Sequence, residues 1–465
     1  MPPTLALILT LGFIAVLFRR DFREKPDVTH AIWLPILWMF IIASRPVTQW
    51  LHIFGFPGFG GASVEEGSSL DALVYAGLIA LGIFVLNKRQ VSLGEIVQDN
   101  SWLAIFVLYC LLAVFWSDFP FVSFKRWIKV LGHPIMVLIL FTEPDPMEAL
   151  VRLMKRVAYV VVPVSILWMK YYPQLGRKAS EWGAQMNCGI AEGKNELGGL
   201  CLILGLFFMW YFLQVWRMEK NKSRRNEIFL VGGLLLMIGY CLRKAHSSTA
   251  VLSVLLGAMV MIFLSLRFVN KKVIGVYAVV GIAVVVIAQM TFDVYGSVVD
   301  LTGHGATIEG RGRLWEVLWK TDTDPIFGAG FESYWLGERL QKIWSIPEFR
   351  WRPTQAHNGY LEAYINLGAI GFLILAGVIV TTFRKCRQDL LLNFGWGRLT
   401  MSYLIAILAH NWTEAGFKGL SLMFFFFFMV AVNYPRLRIG SSPSPVETES
   451  PELESELAYS GGKVW

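Results

Sequence analysis

Apolar runs recur along almost the whole chain, each bounded by charged residues, and this repetition leaves few folds open. The runs lie near 3–18, 31–44, 71–87, 102–116, 127–141, 157–170, 196–216, 228–242, 249–268, 273–291, 363–383, 399–410 and 419–434. They follow one another at roughly helix-hairpin spacing. No single aqueous core could shelter them all, because hydrophobic residues make up 55% of the 465 and charged residues only 16%, far from the balance of a water-soluble domain. Lipid is then the solvent for most of the runs. The expectation is an all-α polytopic integral membrane protein with about 12–13 transmembrane helices, several of them shorter than the ~20 residues of a full span.

The first run, from Pro3 to Phe18, precedes Arg19 and Arg20, the reverse of a secretory signal, and reads as a retained span. A net charge of +8 could suggest nucleic acid, but the Lys and Arg residues sit in short clusters between apolar runs instead of on one basic face. Topology accounts for them better, and no nucleic-acid partner is expected. Placing the loop from Arg19 to Lys25 in the cytoplasm puts Lys88-Arg89, Arg152 to Arg156, Arg217 to Arg225, Lys271-Lys272 and Arg384 to Arg387 there too. The segment 170–194 and the long loop 293–360 then fall on the outer, periplasmic face of a bacterial inner membrane, basic despite the charge rule.

The expected organisation is a membrane domain over 1–436, in which 292–362 is a large helical periplasmic loop, and an acidic disordered cytoplasmic tail over 437–465. In that tail Glu447, Glu449, Glu452, Glu454 and Glu456 follow a Ser-Pro stretch and bury nothing apolar. Cys110, Cys188, Cys201 and Cys241 lie in or near runs, without metal-ligand spacing. Neither a disulfide framework nor a metal site is expected.

The long loop mixes aromatic and charged residues, among them Arg311, Arg313, Trp315, Glu316, Trp319, Trp335, Trp344, Trp351 and His357. Two readings stand: a sugar-binding surface, with rings stacked on pyranose faces, or an interfacial aromatic belt. Arg311 and Arg313 follow Gly310 ahead of a helical stretch, where their forks could hold a diphosphate or touch lipid phosphates. His357, where the loop returns to the membrane, suits general-base chemistry on a sugar hydroxyl or a structural role. Lys194 and Arg126, at outer ends of runs, are further phosphate candidates or snorkelling cations. Glu414, also at an outer end, could orient a histidine, pair with an arginine or remain a solvated loop charge.

Ordered motifs sharpen this picture. Gly303-His304-Gly305-Ala306-Thr307-Ile308-Glu309-Gly310-Arg311-Gly312-Arg313-Leu314-Trp315 is followed by Asp324-Pro325-Ile326-Phe327-Gly328-Ala329-Gly330-Phe331. Then come Ala356-His357-Asn358-Gly359-Tyr360-Leu361-Glu362 and Leu367-Gly368-Ala369-Ile370-Gly371. Weaker elements are Phe115-Trp116-Ser117-Asp118, Lys125-Arg126-Trp127, Gly193-Lys194-Asn195-Glu196-Leu197-Gly198, Ser247-Ser248-Thr249-Ala250 and Asn411-Trp412-Thr413-Glu414. The set resembles the O-antigen ligase-like superfamily, which contains O-antigen ligases, Wzy-type polymerases and ExoQ-like exopolysaccharide proteins. The likeness runs through most of the chain except the acidic tail, and it is nearest the ExoQ-like branch. Glu309, Gly312 and the pair Glu192-Gly193 depart from the usual pattern, which bears on substrate choice more than on reaction class.

The resemblance implies a glycosyltransferase that moves an undecaprenyl-pyrophosphate-linked glycan to an acceptor sugar hydroxyl on the periplasmic face, with no cofactor and no required metal. It implies Arg311 on the pyrophosphate and His357 activating the acceptor, with Arg313, Lys194, Arg126, Asn358, Glu414 and Trp315 as substrate-binding candidates. The implied partners are the lipid-linked oligosaccharide, the acceptor glycan, membrane lipid and other polysaccharide assembly and export proteins. The expected activity is that of an exopolysaccharide or O-antigen polymerase. The alternatives are a ligase attaching finished polymer to lipid A-core and, outside the class, a transporter or flippase, or an assembly scaffold.

Overall fold

A computed structural model of the protein describes residues 1–56, 67–179, 185–281, 305–321 and 323–434. The tail 437–465, most of the run 273–291, Gly303 and His304 lie outside them. The described chain is helical apart from one short hairpin, as lipid requires of segments that must satisfy their own backbone polar groups.

The helices are α1 (Pro3–Arg23), α2 (Trp33–Ala43), α3 (Val47–Ile53), α4 (Ser69–Lys88), α5 (Leu93–Asp99), α6 (Ser101–Leu112), α7 (Pro120–Phe141), α8 (Pro146–Tyr171) and α9 (Pro173–Gly176). After the hairpin come α10 (Lys194–Arg217), α11 (Lys222–Ala245), α12 (Ser248–Ser265), α13 (Gly305–Lys320), α14 (Gly337–Trp344), α15 (Gly359–Leu392), α16 (Phe394–His410) and α17 (Leu422–Ala431). In the hairpin, β1 (Arg177–Ala179) pairs antiparallel with β2 (Gln185–Asn187), Arg177 opposite Asn187.

This is an all-α, multi-pass membrane protein. Among the described residues five helices, α4, α10, α11, α12 and α15, are long and apolar enough to cross a bilayer, or seven counting the bent pairs around α2–α3 and α5–α6 as one span each. Other apolar runs form helices that also hold charges, or are as short as the ten residues of α17.

At one end of the bundle α1, α8 and the α10–α11 hairpin meet in a buried ion-pair cluster: Arg152 binds Asp21 at 2.8 Å and Glu24 at 2.6 Å, Arg156 binds Asp21 at 2.8 Å, and Lys155 binds Glu227. Here the structure departs from the sequence reading. Arg152 to Arg156 are not a loop; α8 begins six residues earlier, where Asp145 caps it by accepting from the N–H groups of Met147 and Glu148. The cluster explains why, since arginines with buried carboxylate partners need no exit to water.

At the opposite end a loop docks on a helix break. Gly368 interrupts α15 at φ 65°, and the strand of chain from Pro325 to Gly330 fills the gap. The N–H groups of Ala329, Gly330, Ala369 and Ile370 donate to the carbonyls of Ile365, Asn366, Pro325 and Ile326. Gly368 and Gly328 are required by this approach. A Cβ on Gly368 would lie 2.1 Å from the Ile326 carbonyl oxygen, and one on Gly328 would lie 2.5 Å from Asn366 backbone carbon. Two of the motifs noted in the sequence are thus halves of one backbone joint. The loop beyond has its own core of Leu314, Leu318, Tyr334, Trp335, Leu340, Ile343 and Phe349, so several of its aromatic residues face neither sugar nor lipid.

Candidate active site

Five elements bring one carboxylate to the centre of this end. Glu414 follows the last turn of α16, is 4% exposed, and accepts from three groups distant in sequence. Arg311 of α13 donates from Nη2 to its Oε1 at 2.6 Å, and from Nη1 to the Thr413 carbonyl at 2.7 Å. Asn195, at the start of α10, donates to Oε1 at 2.7 Å. His357, just before α15, shares a hydrogen at 3.1 Å between Nδ1 and Oε2. Burial pushes the Glu414 carboxyl up, but the charge and hydrogen bond of His357, and then Arg311, outweigh it and hold the group down at about 2.

His357 is held by its neighbours' backbone. The N–H of Ala356 donates to the buried carboxylate of Glu362 at 2.6 Å, and the Ala356 carbonyl accepts from the indole of Trp315 at 2.8 Å. Trp335 donates to the other Glu362 oxygen at 2.8 Å. Asn358 caps α15 by accepting from Tyr360 and Leu361, both at 3.0 Å. Pinned on both sides, His357 adopts φ 49°, a region a non-glycine residue seldom occupies unless its surroundings impose it. The ring packs on Trp351 with centroids 5.5 Å apart, and its Nε2 has no protein partner among the described residues.

A histidine whose Nδ1–H is held by a carboxylate presents a basic Nε2, the arrangement used for proton abstraction. A guanidinium has five N–H donors; two of Arg311's are engaged, leaving three for an anion. The N-termini of α10, α12 and α15 also point at this centre: Asn195 and Asn358 lie at two of them, and at the third Thr249 shares a 2.5 Å hydroxyl contact with Thr413. Of these only α10 lacks a side-chain cap; Ser247 and Asn358 cap α12 and α15, whose dipoles still favour negative charge.

The other sequence candidates are placed as follows. Lys194, half-buried beside Asn195, makes no hydrogen bond or ion pair among the described residues. Arg313 lies away from the centre, paired with Glu316 at 2.8 Å on a half-exposed surface. Arg126 donates to the main-chain carbonyl of Glu332 and lines a separate cavity with Lys418 and Glu362. Trp315 spends its indole N–H on Ala356. Trp315 and Asn358 also border an apolar groove of about 1030 Å³ with Trp319, Tyr364, Phe372 and Trp412. Sequence reasoning quoted Asn195 and Glu362 inside motifs without giving them roles. The signal for Glu362 was its spacing of five residues after His357.

Two comparisons bear on this geometry. A family model described as O-antigen ligase matches residues 232–376, which include Arg311 and His357 and stop short of Glu414. A protein named exopolysaccharide production protein ExoQ, from Rhizobium meliloti (strain 1021), is 27% identical over 349 residues, covering 72% of this chain and 73% of its own. Over these stretches the chain is similar to O-antigen ligase-like proteins of polysaccharide production. Within that O-antigen ligase-like frame, the matched segment supplies the arginine and the histidine, and the last connection of the bundle supplies the carboxylate between them.

Proposed function

We propose that the protein is a polymerase-type glycosyltransferase of exopolysaccharide or O-antigen synthesis, which transfers a glycan from undecaprenyl pyrophosphate to an acceptor hydroxyl at the periplasmic face of a bacterial inner membrane. The observation that carries this reading is the buried Arg311–Glu414–His357 constellation, which puts an anion-binding fork and a general base on one carboxylate. The ExoQ protein of Rhizobium meliloti is named for exopolysaccharide production, which favours a polymerase over a ligase.

In this scheme Nε2 of His357 takes the proton of the acceptor hydroxyl as its oxygen bonds to the anomeric carbon of the donor sugar. The bond from that carbon to the pyrophosphate oxygen breaks, and undecaprenyl pyrophosphate leaves with the electron pair. The free donors of Arg311, the helix N-termini and the Lys194 ammonium stabilise the growing charge where little water competes. Arg311 neutralises Glu414, so the carboxylate does not repel the leaving group. The apolar groove beside Asn358 suits the isoprenoid chain, entering sideways from lipid, and the reaction needs no metal.

The chain-length profile of lipid-linked and released polysaccharide in a deletion strain tests the reading. Complementation with wild type should restore long chains, and His357→Ala should leave single repeats. Accumulation of long lipid-linked polymer in the deletion strain would instead make the protein a ligase. A normal profile with His357→Ala would remove the histidine from the chemistry.

A further inference from the structure

Away from the Arg311–Glu414–His357 centre, three cations converge on a second cavity of about 340 Å³. Arg126 and Lys129 stand three residues apart on one face of α7, and Lys418 joins them from the connection between α16 and α17. All three are half-buried.

Their contacts leave positive charge to spare. Arg126 donates to the Glu332 carbonyl, and Lys418 donates to the Thr354 carbonyl at 2.9 Å. Lys129 makes no hydrogen bond or ion pair among the described residues; its Nζ lies 5.8 Å from the centroid of the Tyr75 ring. Two carboxylates share the wall, and both already accept from other groups. Glu362 takes the N–H groups of Trp335, Asn366 and Ala356, and Glu332 takes that of Gly419 at 2.7 Å. Asp71, which lines the neighbouring cavity with Lys129, spends its two oxygens on Thr48. Taking an ammonium out of bulk water is costly unless an anion joins it.

The cavity's chemistry selects a ligand class. Three cations against two carboxylates favour an anion, and a guanidinium with two ammonium groups suits carboxylate oxygens. Glu332 and Thr354 offer acceptors for hydroxyls, while Trp335 and Leu420 give an apolar wall. The volume lies within the range of small-ligand sites, roughly 300–1,000 Å³.

We propose that this cavity is a subsite for the carboxylate of an acidic sugar, so that the glycan this protein handles is acidic. The proposal rests on the glycan-transfer reading above and narrows its substrate class. His357 does not line the cavity, so the sugar held here lies along the glycan from the bond being made. The subsite abuts the segment that carries the base, since Lys418 holds Thr354 and Glu362 holds Ala356.

The test uses full-length protein in nanodiscs and two probes that differ in charge, tetragalacturonate and its methyl ester. Binding is read by thermophoresis at low salt, where charge is least screened. Wild type should bind the acid at least about 10-fold more tightly than the ester, because hydrogen bonds to charged groups are the stronger ones. Lys129→Met and Lys418→Met should each weaken the acid at least about 5-fold and leave the ester within about 2-fold. Either variant reads the same cavity if the other does not fold, and Lys129→Arg, which keeps the charge, should stay within about 3-fold of wild type. Inorganic pyrophosphate, standing for a lipid phosphate, should bind both methionine variants as it binds wild type. The polysaccharide missing from the deletion strain should contain a carboxylate-bearing residue.

Equal affinity for acid and ester, undiminished acid binding in a folded methionine variant, or a wholly neutral host polysaccharide would overturn the subsite. Loss of pyrophosphate binding in the methionine variants would also overturn it, by assigning the cavity to phosphate. Failure of wild type to restore polysaccharide to the deletion strain would instead overturn the glycan-transfer reading itself.

Discussion

Glu414 is where the site's energetics concentrate, because one buried carboxylate serves an arginine, an asparagine and a histidine. Its carboxyl is held at about 2, below the usual value near 4.3. A depressed folded-state pKa stabilises the fold fully above the unfolded value, and the contribution is lost as pH falls through the folded one. Thermal stability of purified wild type should therefore decline between about pH 4.5 and 2 by on the order of 3 kcal/mol more than that of Glu414→Gln, compared by melting curves. An identical decline in both proteins would contradict the ion triad. At neutral pH the same variant should lose about 10²-fold or more in transfer rate, since an amide cannot hold both the arginine charge and the histidine tautomer. Part of this was readable in the sequence: a carboxylate at the end of a span invites a histidine or arginine partner. The motif resemblance singled out Arg311 over Arg313, and helix geometry supplies the physical reason. Residues two apart on a helix point to different faces, so once α13 turns Arg311 toward Glu414, Arg313 faces outward to Glu316.

At the scale of elements, the joint between residues 325–330 and the break in α15 fixes where the long loop leaves and rejoins the bundle, and so where His357 stands. Gly368→Ala should place a Cβ on the Ile326 carbonyl in a backbone region that alanine resists. The expected cost is at least about 2 kcal/mol, visible as a lower melting temperature by fluorescence-detected gel filtration; wild-type melting would refute the joint. The glycines of this joint were visible as motifs in the sequence, but their purpose depends on contacts between segments 40 residues apart. The same limit applies to α8, whose start was missed because three cations within five residues look like a loop. Their partners come from Asp21, Glu24 and Glu227 on other helices, which no local pattern announces.

For the whole molecule, apolar periodicity was enough to establish an all-α membrane protein, while the meeting of α10, α12, α13, α15 and α16 at one end came only with tertiary structure. The two ends of the bundle also predict an orientation. All five native cysteines are buried, so single engineered ones report sidedness cleanly. Glu348→Cys in the long loop should react with a membrane-impermeant maleimide in cells with a permeabilised outer membrane. Lys220→Cys in the α10–α11 connection should react only after the inner membrane is opened, and the reverse pattern would invert the proposed topology. The most direct test of the central claim is the release of undecaprenyl pyrophosphate, coupled to chain growth, by protein reconstituted with purified lipid-linked repeat unit. Wild type should release the carrier in step with elongation, in chelator as in buffer. His357→Ala and Arg311→Lys should each fall by about 10²–10³-fold while folding normally. Undiminished release by either folded variant would contradict the account.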